Sequence, residues 1–283
     1  GFSEKFSLGL IVSSAETAIL IPPSITMIIY GWMTGTSITA LFAGGLAVGI
    51  FLGLAFAILV IFESRKNNLI SNVKREKGAI LDKFLQAKWA LGMPAIILGG
   101  IYSGFFTPTE AAAISVIYAL LIESIIYKNL NWSNFFKIIE RGAISSSVIF
   151  ILLAMGSVLS FFITIVQVPE ILKDFLLDID AGMITFLLVV NIAFFLAGMF
   201  IDPNSALLIL VPPLFPVAAS LGIDPIHFGL IVTLNIGIGM ITPPFGLDIF
   251  VASSTLNKSV ITIISGIWPF LLVNIIVLLI ITY

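Results

Sequence analysis

The stretch PIHFGLIVTLNIGIGMITPPFGL, residues 225–247, carries no charged residue and contains the pair Pro243-Pro244 close to its end. A membrane-spanning helix needs about 20 apolar residues, and this run has that length. Proline removes a backbone donor and clashes with the preceding helical turn, so two in succession predict a broken helix. Non-helical backbone at membrane depth is tolerated only where protein buries it or it lines a water-filled cavity. The stretch therefore predicts a discontinuous membrane helix.

A similar stretch lies near the start of the chain. Residues 9–12 (GLIV) and 21–23 (IPP) echo residues 229–232 (GLIV) and 242–244 (TPP), with a spacing that differs by one residue. This match predicts an internal repeat with two broken helices. A third pair, Pro212-Pro213, has no such match and predicts only a kink.

The composition of the chain indicates a protein that lies in a lipid bilayer. The chain is 59% hydrophobic and 10% charged, with a mean hydropathy of +1.19, whereas a soluble domain carries roughly 25% charged residues. Transmembrane barrels alternate apolar and polar residues, and the charge-free runs here do not. The sequence predicts an all-α integral membrane protein. The charge-free runs, each of one or two spans, are 17–62, 89–109, 142–169, 181–201, 203–223, 225–247 and 259–283.

Several classes of function are excluded. The chain has no cysteine and one histidine, so disulfides, thiolate chemistry and a histidine-rich metal site within this chain are ruled out. A net charge of −2 suggests no nucleic-acid partner. His227 follows Asp224-Pro225 at a predicted helix start, where capping or interface packing is expected. Residues 1–5 lack the pattern of a signal peptide and suggest a start within a longer protein.

Basic residues predict the topology, because they cluster in cytoplasmic loops. Seven of the thirteen Lys and Arg residues fall in segment 65–88, which is therefore predicted to be cytoplasmic: Arg65, Lys66, Lys74, Arg75, Lys77, Lys83 and Lys88. The acidic segment 170–180 is predicted to be outside. On this map the broken helix 6–33 runs outward and the broken helix 225–255 runs inward. Related broken helices of opposite orientation are typical of an inverted-repeat transporter.

The second broken helix needs a facing element, and segment 181–220 is the candidate. Its two apolar arms meet at Asp202-Pro203-Asn204-Ser205, and it could be a re-entrant hairpin or two full spans. The predicted organisation is a broken helix with its following span at 1–64, the basic loop at 65–88, spans opening the second repeat at 89–180, the hairpin with its broken helix at 181–255, and a C-terminal span at 256–283.

Four ionisable residues lie at membrane depth, where they usually face a cavity or a partner. They are Glu16, Glu110, Asp202 and Asp248. Glu16 and Asp248 could instead be helix-end residues near an interface. Asp202 and Asp248 also permit an intramembrane aspartyl protease, whose two carboxylates share a proton, although neither has a Gly-x-Gly-Asp context. An inert scaffold subunit and a passive channel are further alternatives.

Four strings resemble one known family. They are SSAETAILIPPSITMIIYG (13–31), GGIYSGFFTPTEAAA (99–113), GMFIDPNSA (198–206) and LGIDPIHFGLIVTLNIGIGMITPPFGLDIFVAS (221–253). In order and over the whole chain, they resemble the large membrane subunit of tripartite ATP-independent periplasmic (TRAP) transporters. That subunit is longer, and its N-terminal helices and first hairpin are expected to be missing here. Glu16 departs from the pattern, which has a small residue at this position.

The resemblance implies an elevator-type member of the ion transporter superfamily in the bacterial inner (cytoplasmic) membrane, with several spans. It implies symport driven by Na⁺ and no enzyme activity. A periplasmic binding protein would deliver an organic carboxylate such as sialic acid or a C4-dicarboxylate, and a small membrane subunit, separate or fused, would brace the scaffold. The moving domain would comprise 1–33 and 181–255.

The resemblance also implies site residues. One Na⁺ would lie near Asp202, Pro203, Asn204, Gly239, Thr242 and Pro243. A second would use Ser13, Ser14 and the backbone at Ile21. The solute would lie near Ser24, Asn204, Asn235 and Gly246.

Overall fold

The structure, a computed structural model, describes residues 1–69, 79–178 and 182–283. The described residues form twelve α-helices and contain no β-strand, which confirms the all-α class. The helices are α1 Glu4–Ala15, α2 Ile25–Thr34, α3 Ile38–Lys66, α4 Ala79–Tyr102, α5 Pro108–Leu121, α6 Trp132–Ile165, α7 Val168–Asp178, α8 Met183–Phe200, α9 Pro203–Ser220, α10 Pro225–Met240, α11 Leu247–Leu256 and α12 Val260–Thr282. Seven helices within the described ranges are long and apolar enough to cross a membrane.

The predicted loops are more helical than the sequence suggested. Helix α3 reaches Lys66 and α4 begins at Ala79, so both ends of the basic segment 65–88 are helical. Its central part, 70–78, lies outside the described residues. The acidic segment contains α7, whose apolar residues Ile171, Leu172 and Phe175 recur at helical spacing. The charge content of that segment hides this amphipathic pattern.

Two compact units make up the chain. Gly1–Leu69 and Leu152–Tyr283 form the first, and Ile70–Ile151 forms the second. The second unit contains the antiparallel pair α4 and α5, in which the Tyr118 hydroxyl donates to the Trp89 carbonyl at 2.8 Å. The first unit contains both broken helices and the hairpin between them.

Glu110 has a structural role in the second unit. Its carboxylate accepts from the backbone N–H of Thr107 at 2.8 Å, and the Thr107 hydroxyl accepts from the Glu110 N–H at 3.3 Å. This reciprocal arrangement is a capping box that satisfies two free amides at the start of α5. The carboxylate is exposed, so the structure explains Glu110 by capping.

Helices α1 and α12 run side by side in the same direction. Glu4 and Lys258 pair at the starts of the two helices. Further along, the backbones of Gly9 and Gly266 touch, because a Cβ on either would collide with the other helix. Small residues permit this close approach in membrane helices.

Helix α10 runs the opposite way. His227 Nε2, near its start, lies 2.6 Å from the Ile281 carbonyl oxygen at the end of α12. The Tyr30 hydroxyl, near the end of α2, donates to the Pro225 carbonyl at 2.6 Å. The first broken helix, α1–α2, therefore runs antiparallel to the second, α10–α11, as the basic residues predicted. The contact of His227 is interface packing, and Asp224 is the residue that caps α10.

Helices α8 and α9 form the predicted hairpin, and α8 lies parallel to α10. The rings of Phe186 and Phe228 stack with centroids 6.4 Å apart near the helix starts. Near the tip, Phe200 contacts Phe245 with centroids 5.6 Å apart. Phe245 lies in the break between α10 and α11, and α11 continues for ten residues beyond this break. Each arm is long enough to span a bilayer, but the tip ends at the level of the break, so the geometry supports a re-entrant hairpin.

Helix α9 continues without a break through Pro212, Pro213 and Pro216. The third proline pair therefore does not break its helix, and the predicted kink at Pro212-Pro213 stays a prediction.

Candidate ion and substrate site

The second break, residues 241–246, is a tight loop between α10 and α11. Because Pro243 and Pro244 have no N–H, the carbonyls of Gly239 and Met240 lose their normal helical partners. The Thr242 N–H donates to the Gly239 carbonyl at 2.9 Å instead. A Cβ on Gly246 would lie 2.5 Å from the Met240 carbonyl oxygen, so only glycine fits. The loop thus presents carbonyl oxygens in unwound backbone.

The first break, residues 16–24, has a 3₁₀ turn at Glu16–Ile19 and then Pro22-Pro23. The carbonyls of Ala18 and Ile19 lose their helical partners for the same reason. The Ser24 hydroxyl donates to the Ile19 carbonyl at 2.5 Å and accepts from the Met27 N–H at 3.3 Å. Ser24 is therefore the N-cap of α2 and holds the break closed on itself. The Pro22-Pro23 and Pro243-Pro244 peptide bonds are both cis.

The hairpin tip begins α9 with an Asp-Pro cap. Asp202 Oδ1 accepts from the N–H groups of Asn204 and Ser205 at 3.1 Å each. The side chain is exposed, and its second oxygen is free for another ligand. Asp224-Pro225 at the start of α10 has the same geometry. Capping therefore accounts for part of the role of Asp202, and an Asp-Pro sequence alone does not mark an ion site.

The tip contacts the second break through glycine. A Cβ on Gly239 would lie 2.5 Å from the carbonyl carbon of Gly198, and one on Gly198 would lie 2.7 Å from the Ile236 carbonyl oxygen. The backbones of α8 and α10 thus touch immediately before the tip and the break. This contact brings the predicted ion-site segments 202–204 and 239–243 next to each other.

The tip also contacts the first break. Pro203 and Asn204 line a cavity of about 280 Å³ with Pro23, Ser24 and Thr26. Asn204 Oδ1 is covered and has no hydrogen-bond partner. The structure therefore brings together Asn204 and Ser24, two of the predicted substrate residues.

Asn235 lies elsewhere. Its amide donates to Asn191 Oδ1 and to the Ile231 carbonyl, both at 2.8 Å. Asn191 in turn donates to the Thr282 hydroxyl at 3.3 Å. This buried network joins α10, α8 and α12, and Asn191 precedes the tip by about three helical turns. The structure does not bring Asn235 to the Asn204 cavity, and its role in substrate binding stays a prediction.

The residues of the predicted second ion site do not all face the same space. Ser13 is fully buried and its Oγ has no partner, whereas Ser14 and Ile21 are exposed. The Ser14 carbonyl accepts from the Thr17 hydroxyl at 2.7 Å. Ser13 and Ser14 therefore face different directions.

Sequence reasoning missed two buried asparagines, Asn191 and Asn274. Each is a single amide in a long apolar helix, and a polar residue in such a helix must find a partner. That signal was present in the sequence, but which partner each one meets depends on packing.

Comparison with known proteins identifies relatives of the chain. A family described as "Tripartite ATP-independent periplasmic transporter, DctM component" matches residues 1–283. The ectoine TRAP transporter large permease protein TeaC of Halomonas elongata is 39% identical over 96% of this chain and 64% of its own length. The C4-dicarboxylate TRAP transporter large permease protein DctM of Pseudomonas aeruginosa is 36% identical over 100% of this chain and 66% of its own length. The sialic acid TRAP transporter large permease protein SiaM of Vibrio cholerae is 35% identical over 98% and 65%. The chain thus spans about two thirds of the length of these curated relatives.

Proposed function

This chain belongs to the DctM component family of tripartite ATP-independent periplasmic transporters, and on that premise we propose that it is the large permease subunit of a sodium-driven importer of an organic carboxylate. The family consists of transport permeases and not of enzymes. Family and spans together assign the chain to the bacterial inner (cytoplasmic) membrane as a multi-pass protein. The partners in this proposal are a periplasmic binding protein and a small membrane subunit, separate or fused.

The observation that carries the proposal is the meeting of the hairpin tip with both breaks. Half-helix ends and unwound carbonyls at membrane depth are typical of the binding sites of secondary transporters. Accumulation of a solute against its gradient without ATP needs another energy source, and an ion gradient is the one proposed here. An elevator mechanism is part of this proposal, and the elements that would move, the hairpin and both broken helices, lie in one compact unit together with α3, α7, α12 and the end of α6.

Sodium is the proposed coupling ion because the groups at the tip and the second break are oxygens. Asp202 keeps one free carboxylate oxygen, and the Met240 carbonyl has lost its helical donor. The Thr242 hydroxyl donates to the Ile238 carbonyl at 2.6 Å, which leaves its lone pairs available. Hard oxygen ligands of this kind suit hard cations.

A carboxylate solute is proposed from the helix ends at the Asn204 cavity. Helix α2 begins at Ile25 and α9 at Pro203, and both residues line the cavity. Helix N-termini carry partial positive charge and favour anions. The Asn204 side chain is a second polar group there, and its amide NH₂ is the donor that a carboxylate needs. The solutes named for the three relatives (ectoine, C4-dicarboxylates and sialic acid) all carry a carboxylate, so we propose the class and not one member.

Uptake by reconstituted full-length protein tests the proposal. Proteoliposomes with the small subunit and the binding protein should accumulate a labelled carboxylate only under an inward Na⁺ gradient. Replacing Na⁺ by K⁺ at equal ionic strength is the control. Uptake that does not depend on Na⁺ would overturn the coupling and would favour a passive channel.

Asn204→Ala should lower the uptake efficiency. A hydrogen bond to a charged group contributes about 1.5–3 kcal/mol, so a loss of roughly 10- to 100-fold is expected. Asn134→Ala, an exposed asparagine on α6, is the matched control and should transport like wild type. Initial uptake rates over a range of solute concentrations measure the effect, and unchanged kinetics in Asn204→Ala would remove this residue from the substrate site.

A further inference from the structure

A buried acid lies outside the sites described above. Glu16 begins the 3₁₀ turn of the first break and is 1% exposed. Neither of its carboxylate oxygens has a hydrogen-bond partner in the described structure. Ser13, three residues earlier and on the same helical face, is also fully buried with an unpaired Oγ. An unpaired carboxylate and an unpaired hydroxyl therefore point into the same region.

Helix α12 supplies the facing group. Asn274 is fully buried, and both its Oδ1 and its Nδ2 lack a partner. It lies beside the Glu16 carboxyl without a hydrogen bond of normal geometry between the two side chains. Packing explains why they face each other: α1 and α12 are parallel and touch at Gly9 and Gly266, so Asn274, two turns after Gly266, reaches the level of Glu16.

Two further helices close the region. On α10, a Cβ at Gly237 would lie 3.0 Å from Ile19 Cδ1 and 3.7 Å from the Glu16 Cβ, so the glycine lets the first break pack closely against α10. On α11, half-buried Asp248 has an unpaired Oδ2 and is near enough to repel a charged Glu16. Four polar residues from α12, α11 and the first broken helix thus converge.

No basic side chain of the described residues pairs with Glu16. The ion pair between Glu4 and Lys258 is at the start of α1, about 18 Å from Glu16 along the helix axis. A carboxylate that is buried without a counter-charge or hydrogen bonds is strongly unfavourable. A bound positive charge would remove that penalty, and the oxygens of Ser13, Asn274 and Asp248 would complete its ligands.

We propose that Glu16, with Ser13, Asn274 and Asp248, forms a further binding site for one Na⁺ ion. This site is separate from the one at Asp202 and Thr242. It shares the Ser13 hydroxyl with the ion site that the resemblance implies at Ser13, Ser14 and Ile21, so this hydroxyl can serve as a ligand in only one of the two sites. Since Glu16 begins the first break, cation binding would stabilise that break, and this coupling to transport rests on the proposed function.

Cation binding to the purified full-length protein tests the site without any solute. Na⁺ titration at fixed pH gives the number of bound ions and their affinity. Glu16→Gln keeps the size and removes the charge. Glu4→Gln, an exposed acid on the same helix, is the matched control.

Two results support the proposal. If the site holds Na⁺, Glu16→Gln loses one bound Na⁺, or its affinity falls at least about tenfold, the lower end for disturbed metal sites. The Na⁺-dependent rise in Tm should fall with it, because a ligand stabilises the state that binds it.

One result overturns the proposal: Glu16→Gln with the Na⁺ stoichiometry and affinity of wild type. Binding is measured here without transport, so failure of the cation site can be distinguished from failure of the proposed transport function. Uptake that ignores Na⁺, together with loss of a bound cation in Glu16→Gln, would reject the coupling and keep the site.

Discussion

Asp202→Ala should abolish Na⁺-dependent uptake while the protein still folds and inserts. Asp202 is at the hairpin tip, next to the carbonyls of the second break, and one of its carboxylate oxygens is free. It is the acid in the proposed ion site around Thr242. Removing it takes away both the charge and the ligand that would hold Na⁺. Its cap on α9 is lost too, which costs about 0.5–2 kcal/mol of stability.

Asp224→Ala separates these two effects. Asp224 caps α10 through the N–H groups of Ile226 and His227 at 2.9 and 3.0 Å, the same arrangement that Asp202 makes. Both variants should lose similar stability by thermal unfolding in detergent. Only Asp202→Ala should lose uptake in proteoliposomes.

Wild-type uptake in Asp202→Ala would take this residue out of the ion site and reduce its role to capping. Equal loss of uptake in both variants would show that the cap, and not the ion, explains the effect. The same variant tests the protease alternative. In that case the wild-type protein would cleave a membrane peptide and Asp202→Ala would not.

Gly198→Ala should disrupt the docking of the hairpin on α10. A Cβ there would lie 2.7 Å from the carbonyl oxygen and 3.0 Å from the Cα of Ile236. Both are backbone atoms, so no side-chain rotation relieves the clash and α8 must move. Overpacking of this kind typically costs about 1–3 kcal/mol. This contact holds the tip against the second break. The loss of uptake should therefore be larger than the loss of stability alone would explain.

Gly53→Ala is the matched control, since a Cβ at Gly53 on α3 meets no atom within 4 Å. Alanine in a helix is favoured over glycine by about 0.5–1 kcal/mol, so this variant should be neutral or slightly stabilised. Tm and initial uptake rates measure both. A Gly198→Ala protein with wild-type values would show that the close approach at Gly198 is not required.

Local sequence signals predicted the broken helices well. Proline acts on its own backbone and on the preceding turn, so Pro22-Pro23 and Pro243-Pro244 located both breaks without knowledge of packing. Orientation was equally accessible, because basic residues act through their position at the membrane surface. The structure confirms the antiparallel course of the two broken helices.

Pairing between distant residues was not accessible in the same way. Asn204 and Asn235 look alike in the sequence, but one faces a cavity and the other binds Asn191. The two side chains point to different neighbours because each helix has a fixed orientation about its own axis. That orientation depends on where glycines allow helices to touch. The acids of segment 170–180 predicted an outside loop, because their charge hides the amphipathic pattern of α7.

The sequence by itself determined the all-α membrane class, the two breaks, their opposite directions and the family resemblance, because each follows from composition or from a local backbone effect. Only the tertiary structure decided which polar groups meet. It joined the hairpin tip to both breaks through Gly198 and Asn204, and it placed Glu16 beside Asn274. These contacts link residues up to hundreds of positions apart, and they depend on helix crossings that no local pattern specifies.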